Sequence, residues 1–463
     1  MGGNLLMDLE SDLVVIGGGM AGLVAGSIAS ESGFDVTVLR KGQSATAYSS
    51  GAIDVAGYMP GSCYPFASPI EGMISLANSH AFHPYGFLED VSSAVIEETE
   101  LSKYHMGEAI SWLKDGLEET PASLHGSLDK NIESITMLGT TKPTCLLQKS
   151  MNPGNLMSDP DSCLLFVGFP GHQDFDAEVA ARTFVDNQLS DKTPPRKVGH
   201  CKLSVSPHGS KQNISSIELA RHFDHGGDEM EPMLDDLTHE AESVGATHIA
   251  FPPVLGLHHP QRIREALEQA TGTTVFELLA LPPSIPGMRL QRSLEKVFKN
   301  SGGSLMIGYE CQPKALSDTD INSLQVRGPA RSLTIETKAI VLATGKFIGG
   351  GVAGKKDGLR ETVFDIPVVT EQYESARNIP PRELTKRIAI SQDGHAIYGC
   401  GVPVDGSLKP VGRNGKTVAE NIFCAGSAIA GYRYPTEKSG LGVALLSGSL
   451  AGKHVSQYLR GAE

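Results

Sequence analysis

Asp12–Gly42 reads DLVVIGGGMAGLVAGSIASESGFDVTVLRKG, and its interpretation decides the fold. Leu13–Ile16 is a short apolar run of the kind that forms a strand buried on both faces. Gly17-Gly18-Gly19-Met20-Ala21-Gly22 follows at once and satisfies G-x-G-x-x-G. Leu23, Val24, Ala25, Ile28 and Ala29 then recur at helical spacing until Gly33 can end the helix. Val36–Leu39 reads as a second strand, which completes one βαβ unit. The glycine motif alone is weak, but strand, turn, helix and strand in this order make it specific for a nucleotide. Gly17 permits the tight turn, Gly19 lets a pyrophosphate approach the backbone, and Gly22 lets helix and strand pack closely. The helix N-terminus offers N–H groups and partial positive charge to the phosphates, with Met20 and Ala21 in its first turn.

A dinucleotide fold usually closes its second strand with Asp or Glu, which accepts the ribose hydroxyls. Arg40 stands there, followed by Lys41 and Gly42. A hydrogen bond to a charged group is worth about 1.5–3 kcal/mol, so an adenosine ribose would bind more weakly or in another arrangement. Arg40 could instead meet a 2′-phosphate, or the ligand could lack the adenosine half.

The chain has 463 residues, 40% hydrophobic and 20% charged, which is ordinary globular composition with core enough for two or three domains. A formal charge of −14 argues against a nucleic-acid partner and gives no reason to sit on an anionic membrane. The start, MGGNLLMDLESD, lacks a basic n-region and a long apolar run, so no signal peptide is expected. Leu6 breaks the myristoylation pattern. No window reaches the ~18 continuous apolar residues of a spanning helix, and a soluble, cytosolic protein without direct membrane insertion is expected. The seven cysteines contain no C-x-x-C, which argues against an iron–sulfur cluster, a zinc site or any other metal. Reduced, mostly buried thiols are expected.

Gln43–Asp54 (QSATAYSSGAID) is small and polar, with Ser44, Ser49, Ser50 and Gly51. Following the nucleotide unit directly, it reads as a loop from the pyrophosphate towards a cofactor's ring. Residues 58–135 mix Pro-rich turns with amphipathic helices at Val91–Leu101 and Glu108–Leu117; His83-Pro84-Tyr85 sits in a turn. Strands are expected at Cys163–Gly168, Lys202–Val205, Thr247–Val254 and Thr274–Leu281, with helices at Asp174–Leu189, Ile217–Phe223, Met230–Val244 and Pro260–Ala270. This alternation predicts an α/β insert. Pro282–Leu290 (PPSIPGMRL) is a rigid turn opening a helix, whose Arg289 is a candidate contact for an anionic substrate. Ser301-Gly302-Gly303 stops that helix and Ser304–Tyr309 returns as a strand.

Ser332–Thr337 alternates like an exposed strand, and Ala339–Leu342 is a buried strand ending in the small turn Ala343-Thr344-Gly345. A second such turn follows at Asn421–Ser427, with Gly426 and Ser427. Ser439-Gly440-Leu441-Gly442 then opens an Ala/Ser/Leu-rich helix to Leu459, whose positive end suits a flavin ring or a phosphate. His83 and His258 are the candidate bases.

Taken together, the G-x-G-x-x-G, Ala343-Thr344-Gly345 and the Gly426 and Gly440–Gly442 segments resemble the two-domain flavoproteins of the succinate dehydrogenase and fumarate reductase group. More closely, the chain resembles the B-subunit family of anaerobic glycerol-3-phosphate dehydrogenase. The stretches that carry this are Lys41-Gly42-Gln43-Ser44 with Ser49-Ser50-Gly51, His83-Pro84-Tyr85, Pro282-Pro283-Ser284 with Gly287-x-Arg289-Leu290, and Ala425-Gly426-Ser427. The resemblance implies an α/β, two-domain Rossmann-type FAD/NAD(P)-binding fold with an inserted α/β substrate domain. On this reading, residues 8–60, 287–350 and 405–463 bind flavin, while 61–286 and 351–404 form the insert.

The resemblance further implies a complex. A homologous A subunit carries FAD and oxidises sn-glycerol 3-phosphate to dihydroxyacetone phosphate. The B subunit is the FMN partner, and an iron–sulfur C subunit anchors the pair to the inner face of the membrane and passes electrons to quinone. FMN has no adenosine ribose, so a site for it need not keep the carboxylate that Arg40 replaces, whereas the glycine motif alone suits FAD. Many relatives place Asp or Glu where Ser427 stands, to bind the ribityl chain. Two other readings remain at this level: a scaffold subunit with a vestigial flavin fold, and an NADP-dependent reductase using Arg40 for the 2′-phosphate.

Overall fold

The computed structural model describes residues 7–80, 82–87, 98–190, 196–205, 213–227, 230–314, 316, 320–372, 374–412 and 414–462. Most of the helix expected at Val91–Leu101 lies outside the described residues; the part that is described begins a helix over Glu98–Leu117. The chain divides into two compact units. The first comprises 1–45, 54–116 and 294–463, and the second 46–53 and 117–293. Residues 61–116 and 351–404, expected in the insert, therefore group with the nucleotide unit.

The first unit is built on a seven-stranded sheet. Its path runs Ser304–Ile307, Val36–Arg40, Met7–Ile16, Ser332–Leu342, Ser323–Arg327, Glu310–Cys311, with Ile422–Cys424 also pairing Ser332–Leu342. The first four strands and Ile422–Cys424 are parallel; the other two are antiparallel. The strand expected at Leu13–Ile16 starts at Met7, because Met7–Ser11 pairs with Leu333–Thr337. Likewise Ser332–Thr337 and Ala339–Leu342 are one strand whose outer half alternates and whose inner half is buried.

Helix Met20–Glu31 follows the glycine turn, and Gly33 (φ 95°) reverses the chain after it. The C-terminal helix Gly440–Ala462 lies against it with almost no side chain between. A Cβ on Gly448 would stand 2.6 Å from the Ala21 carbonyl oxygen, and one on Gly452 2.8 Å from that of Ala25. Residues 352–404 hold a hairpin, Val352–Lys355 with Gly358–Glu361, and short helical turns.

The second unit is a four-stranded parallel sheet in the order Thr274–Glu277, His248–Phe251, Cys163–Gly168, Lys197–Lys202. Cys163–Gly168 is buried at every position, with Leu165 and Val167 in one core and Leu164 and Phe166 in another. Helices Ala177–Ser190, Ser216–His225, Met230–Val244 and Pro260–Thr271 follow the expected alternation. The strand expected at Lys202–Val205 lies instead at Lys197–Lys202. It is an edge strand, mostly open to solvent, so its polar KVGHCK sequence gives no apolar signal.

Among the described residues no cysteine is in a disulfide; Cys63 is exposed and the other six are buried. Among the described residues no helix is long and apolar enough to cross a membrane, and no cluster of three or more His, Cys, Asp or Glu could hold a metal ion.

Candidate functional site

In the first unit three parallel strands end side by side, and their turns form a cradle. The Gly17 N–H donates to the Leu39 carbonyl (2.9 Å) and the Ala343 N–H to that of Ile16 (2.9 Å). The Ala425 N–H donates to the Leu342 carbonyl (3.0 Å). This is the carboxyl edge of the sheet, where open α/β folds bind ligands. Gly17 has φ 121°, and a Cβ there would lie 2.1 Å from the Ala343 oxygen. A Cβ on Gly22 would lie 1.9 Å from the Gly17 oxygen, so helix and turn touch backbone to backbone. Gly19 caps the helix at φ −87°, with no side-chain cap and no acidic residue in the first turn. The positive end of this helix thus carries no carboxylate of its own.

The second and third turns complete the cradle. Gly345 (φ 73°) has Ser427 Oγ 3.2 Å from where its Cβ would be, and Gly426 has φ 70° with Ala21 at 2.8 Å. The Gly426 N–H donates to Ser447 Oγ (2.8 Å). Thr344 Oγ1 is buried without a hydrogen-bond partner among the described residues. Gly442, two residues into the C-terminal helix, donates its N–H to the Asp54 carbonyl (2.9 Å). The close backbone approaches at Gly17, Gly22 and Gly426 and the orphaned Thr344 hydroxyl fit the phosphate and polar edge of a flavin.

Arg40 sits over Gly18, its Cβ 2.9 Å from where a Gly18 Cβ would be. Its guanidinium is paired with Glu295, on the helix Ile285–Asn300, and both side chains are largely buried. Arg40 is therefore not an unpaired cation waiting for a 2′-phosphate. Lys41 is exposed and pairs with Glu310 (2.5 Å); Gly42 has open space around it. Ser44 is half-buried.

Ser49, Ser50 and Gly51 belong to the second unit. Ser49 Oγ donates to the Thr46 carbonyl (2.7 Å), and Gln148 Nε2 donates to the carbonyls of Gly51 (3.1 Å) and Pro286 (2.7 Å). Arg289, in the same unit, corrects the expectation of an anion contact. It is fully buried, bonded to both Glu277 oxygens (2.6 and 2.9 Å) and, through Nε, to the Gly256 carbonyl (2.7 Å). Its helix turns inward at this position, so the fork clamps two segments of its own unit. His258 is exposed; its backbone N–H bonds to Asp224, and its ring lies 6.4 Å from that of His259.

His83, in the first unit, is buried just before the short helix Pro84–Phe87. Nδ1 accepts the Tyr85 N–H (3.1 Å) and Nε2 faces Glu437 Oε2 at 3.2 Å. Burial pushes the Glu437 carboxyl up. His83, the Arg433 N–H and the Ser439 hydroxyl outweigh that and hold it below its ordinary value.

Sequence reasoning missed the groups packed near this pair. Lys346, one residue past the Thr344-Gly345 turn, is buried; Nζ bonds to the Tyr398 carbonyl and lies 4.9 Å from the centre of the Tyr432 ring. Burial lowers its pKa to about 8, against the opposing pull of Cys400, Glu437 and Glu371. Arg433 forms a two-pronged pair with Glu371 (2.5 and 2.6 Å). The available signal was a lysine directly after a buried strand's small turn, where an apolar residue would cost less.

The anaerobic glycerol-3-phosphate dehydrogenase B subunit of Vibrio vulnificus (strain YJ016) is 28% identical over 452 residues, covering 94% of each chain. The protein of that name from Pectobacterium carotovorum is 28% identical over 445 residues, covering 95% of this chain and 97% of that one. The open conformation of a flavocytochrome c3 fumarate reductase matches with a TM-score of 0.44 at 10% identity, covering 97% of this chain and 79% of that one. The family described as FAD binding domain matches residues 12–443, and the chain belongs to that family.

Proposed function

We propose that this chain is the B subunit of an anaerobic sn-glycerol-3-phosphate dehydrogenase, a flavin-dependent oxidoreductase subunit. The observation that carries this reading is the full-length similarity to proteins of that name, over a chain whose strand-end cradle suits a flavin. Its partners are a homologous FAD-bearing A subunit and an iron–sulfur C subunit. Through the latter it sits at the inner face of the membrane and passes electrons towards quinone.

In this reading the first unit holds the flavin and the second is an interaction domain. Gly17, Gly19, Met20, Ala21 and Gly22 present the turn and helix end to the phosphate. Thr344, Gly345, Gly426, Ser427 and the Gly440–Leu441–Gly442 helix start border the rest. Bound there, a flavin would supply two-electron redox chemistry; the chain binds it, orients it and sets its electrostatic surroundings. The finer assignment is FMN. Arg40 and Glu295 are engaged with each other at the end of the second strand, which leaves the adenosine ribose of FAD without the usual carboxylate there.

The test is a visible absorption spectrum of the purified chain, followed by mass analysis of the chromophore released on heating. Near-stoichiometric FMN supports the whole reading, and FAD supports the subunit while overturning the finer assignment. A colourless chain that takes up no added flavin leaves a scaffold subunit and overturns the flavin role.

A further inference from the structure

Tyr432 is among the largest fully buried side chains, yet its hydroxyl has no hydrogen-bond partner among the described residues. Leaving such a group unmade costs about 1–3 kcal/mol, so an orphan of this kind calls for a partner supplied from outside the fold. Beside it Lys346 Nζ has one bond to protein, the Tyr398 carbonyl, and lies over the Tyr432 ring. The surrounding groups are held by pairs that leave these two out. Glu437 takes His83, the Arg433 N–H (2.6 Å) and Ser439 Oγ (2.7 Å), while Glu371 takes the Arg433 guanidinium. The Arg433–Ser439 turn next to Tyr432 is thereby fixed from within.

We infer that Tyr432 and Lys346 form the binding point for the reacting hydroxyl of an alcohol substrate, the phenol donating to its oxygen and the lysine amine taking its proton. This rests on the proposed dehydrogenase reading and names the base that reading lacks. An uncharged amine can donate one N–H to Tyr398 and turn its lone pair to the ligand O–H. The hydroxyl proton then moves to Nζ, which becomes the ammonium. A flavin bound to the chain would supply the acceptor for the C–H hydrogen and its electron pair, the carbon becoming a ketone.

The ionisation fits these roles. Lys346 is lowered to about 8 by burial, with Glu437, Glu371 and Cys400 facing it, so its uncharged form grows as pH rises through about 8. Burial holds the Tyr432 phenol well above its ordinary value, which keeps it a donor throughout that range.

The test uses the full chain grown with lysine labelled at 13Cε, the Lys346 resonance being identified by its absence in Lys346→Met. The resonance is expected to titrate near pH 8 and to shift on addition of sn-glycerol 3-phosphate. Tyr432→Phe should need about tenfold more ligand for the same shift, with unchanged flavin content. In the loaded protein, Lys346→Met should lose the rise in kcat/KM through pH 8. A Lys346 resonance that ignores saturating sn-glycerol 3-phosphate overturns the inference, as does a Lys346→Met variant with the wild-type pH profile. A wild-type chain without flavin or turnover overturns the functional reading instead, and the ligand-induced shift still decides the binding point.

Discussion

Arg289→Met separates two roles for the most buried cation of the second unit. The side chain keeps its aliphatic volume but abandons Glu277, which would retain only Ser150 Oγ (2.7 Å) and the Leu255 N–H (2.7 Å). Both partners of the ion pair are fully buried. Breaking such a pair from one side costs about 3–5 kcal/mol, because the remaining charge is stranded in low dielectric. For a unit of this size about 2–4 °C is lost per kcal/mol, so the second unit should melt on the order of 10 °C earlier. The sole tryptophan, Trp112, lies in the first unit and is blind to this change. Hydrogen exchange followed by mass spectrometry reads it directly, on peptides covering Cys163–Gly168 and His248–Phe251. Removing both charges in Arg289→Met with Glu277→Gln should recover much of the loss, since a buried pair contributes little net stability. Unchanged exchange in Arg289→Met, together with weakened binding of inorganic phosphate, would refute this account and restore Arg289 as an anion contact.

Gly19→Asp places a good capping residue in an extended conformation that it can adopt, so thermal stability should hold or rise by a few tenths of a kcal/mol. Its carboxylate would face the phosphate end of the cofactor, and flavin retention, read by absorbance after gel filtration, should fall at least tenfold. His83→Gln removes a group that holds Glu437 below its ordinary 4.5. A lowered carboxyl stabilises above that value and loses its contribution as pH falls through the folded value. The acid-unfolding midpoint of the variant, followed by Trp112 fluorescence, should therefore move to higher pH. Lys346 binds its proton more weakly folded than unfolded, a penalty present below about 8 and relieved as pH rises from there towards 10.5. Denaturant titration at pH 7 should accordingly find Lys346→Met more stable than wild type, by roughly 1–3 kcal/mol after the lost Tyr398 bond is set against it.

The nucleotide unit was legible because its signals are local. Gly17, Gly22 and Gly33 are required by backbone geometry within a few residues of themselves, and buried runs such as Val36–Leu39 and Ala339–Leu342 announce double burial. Met7–Ser11 and Lys197–Lys202 escaped for the opposite reason: their pairing is set by neighbours far along the chain, and Lys197–Lys202 is mostly open to water. In the sequence Arg289 stands as a candidate contact for an anionic substrate, because nothing nearby reveals that Glu277 turns to meet it in the interior. The Lys346 cluster was out of reach altogether. It gathers residues 83, 346, 371, 398–400 and 432–437, and only a folded chain shows that a lysine, a phenol and two carboxylates share one dry place. Arg40 stands between these cases. Its departure from the usual acid was visible, but the compensating Glu295 was not.

The intimate contact between the last helix, at Gly448 and Gly452, and the very first helix has a consequence for biosynthesis. The βαβ segment at 12–42 leaves the ribosome well before Ser332–Leu342, which its strand Met7–Ile16 pairs with, and before Gly440–Ala462, which its helix packs against. The α/β unit at 117–293 is nearly continuous and can form while translation proceeds. Closure of the cofactor-binding half is thus deferred until residues 440–462 have emerged, and a nascent polypeptide stalled before residue 440 should display an unsealed sheet with a naked glycine turn. Such an intermediate is the natural client of a chaperone, and the codons for residues 440–462 decide whether residues 12–42 ever become a binding site.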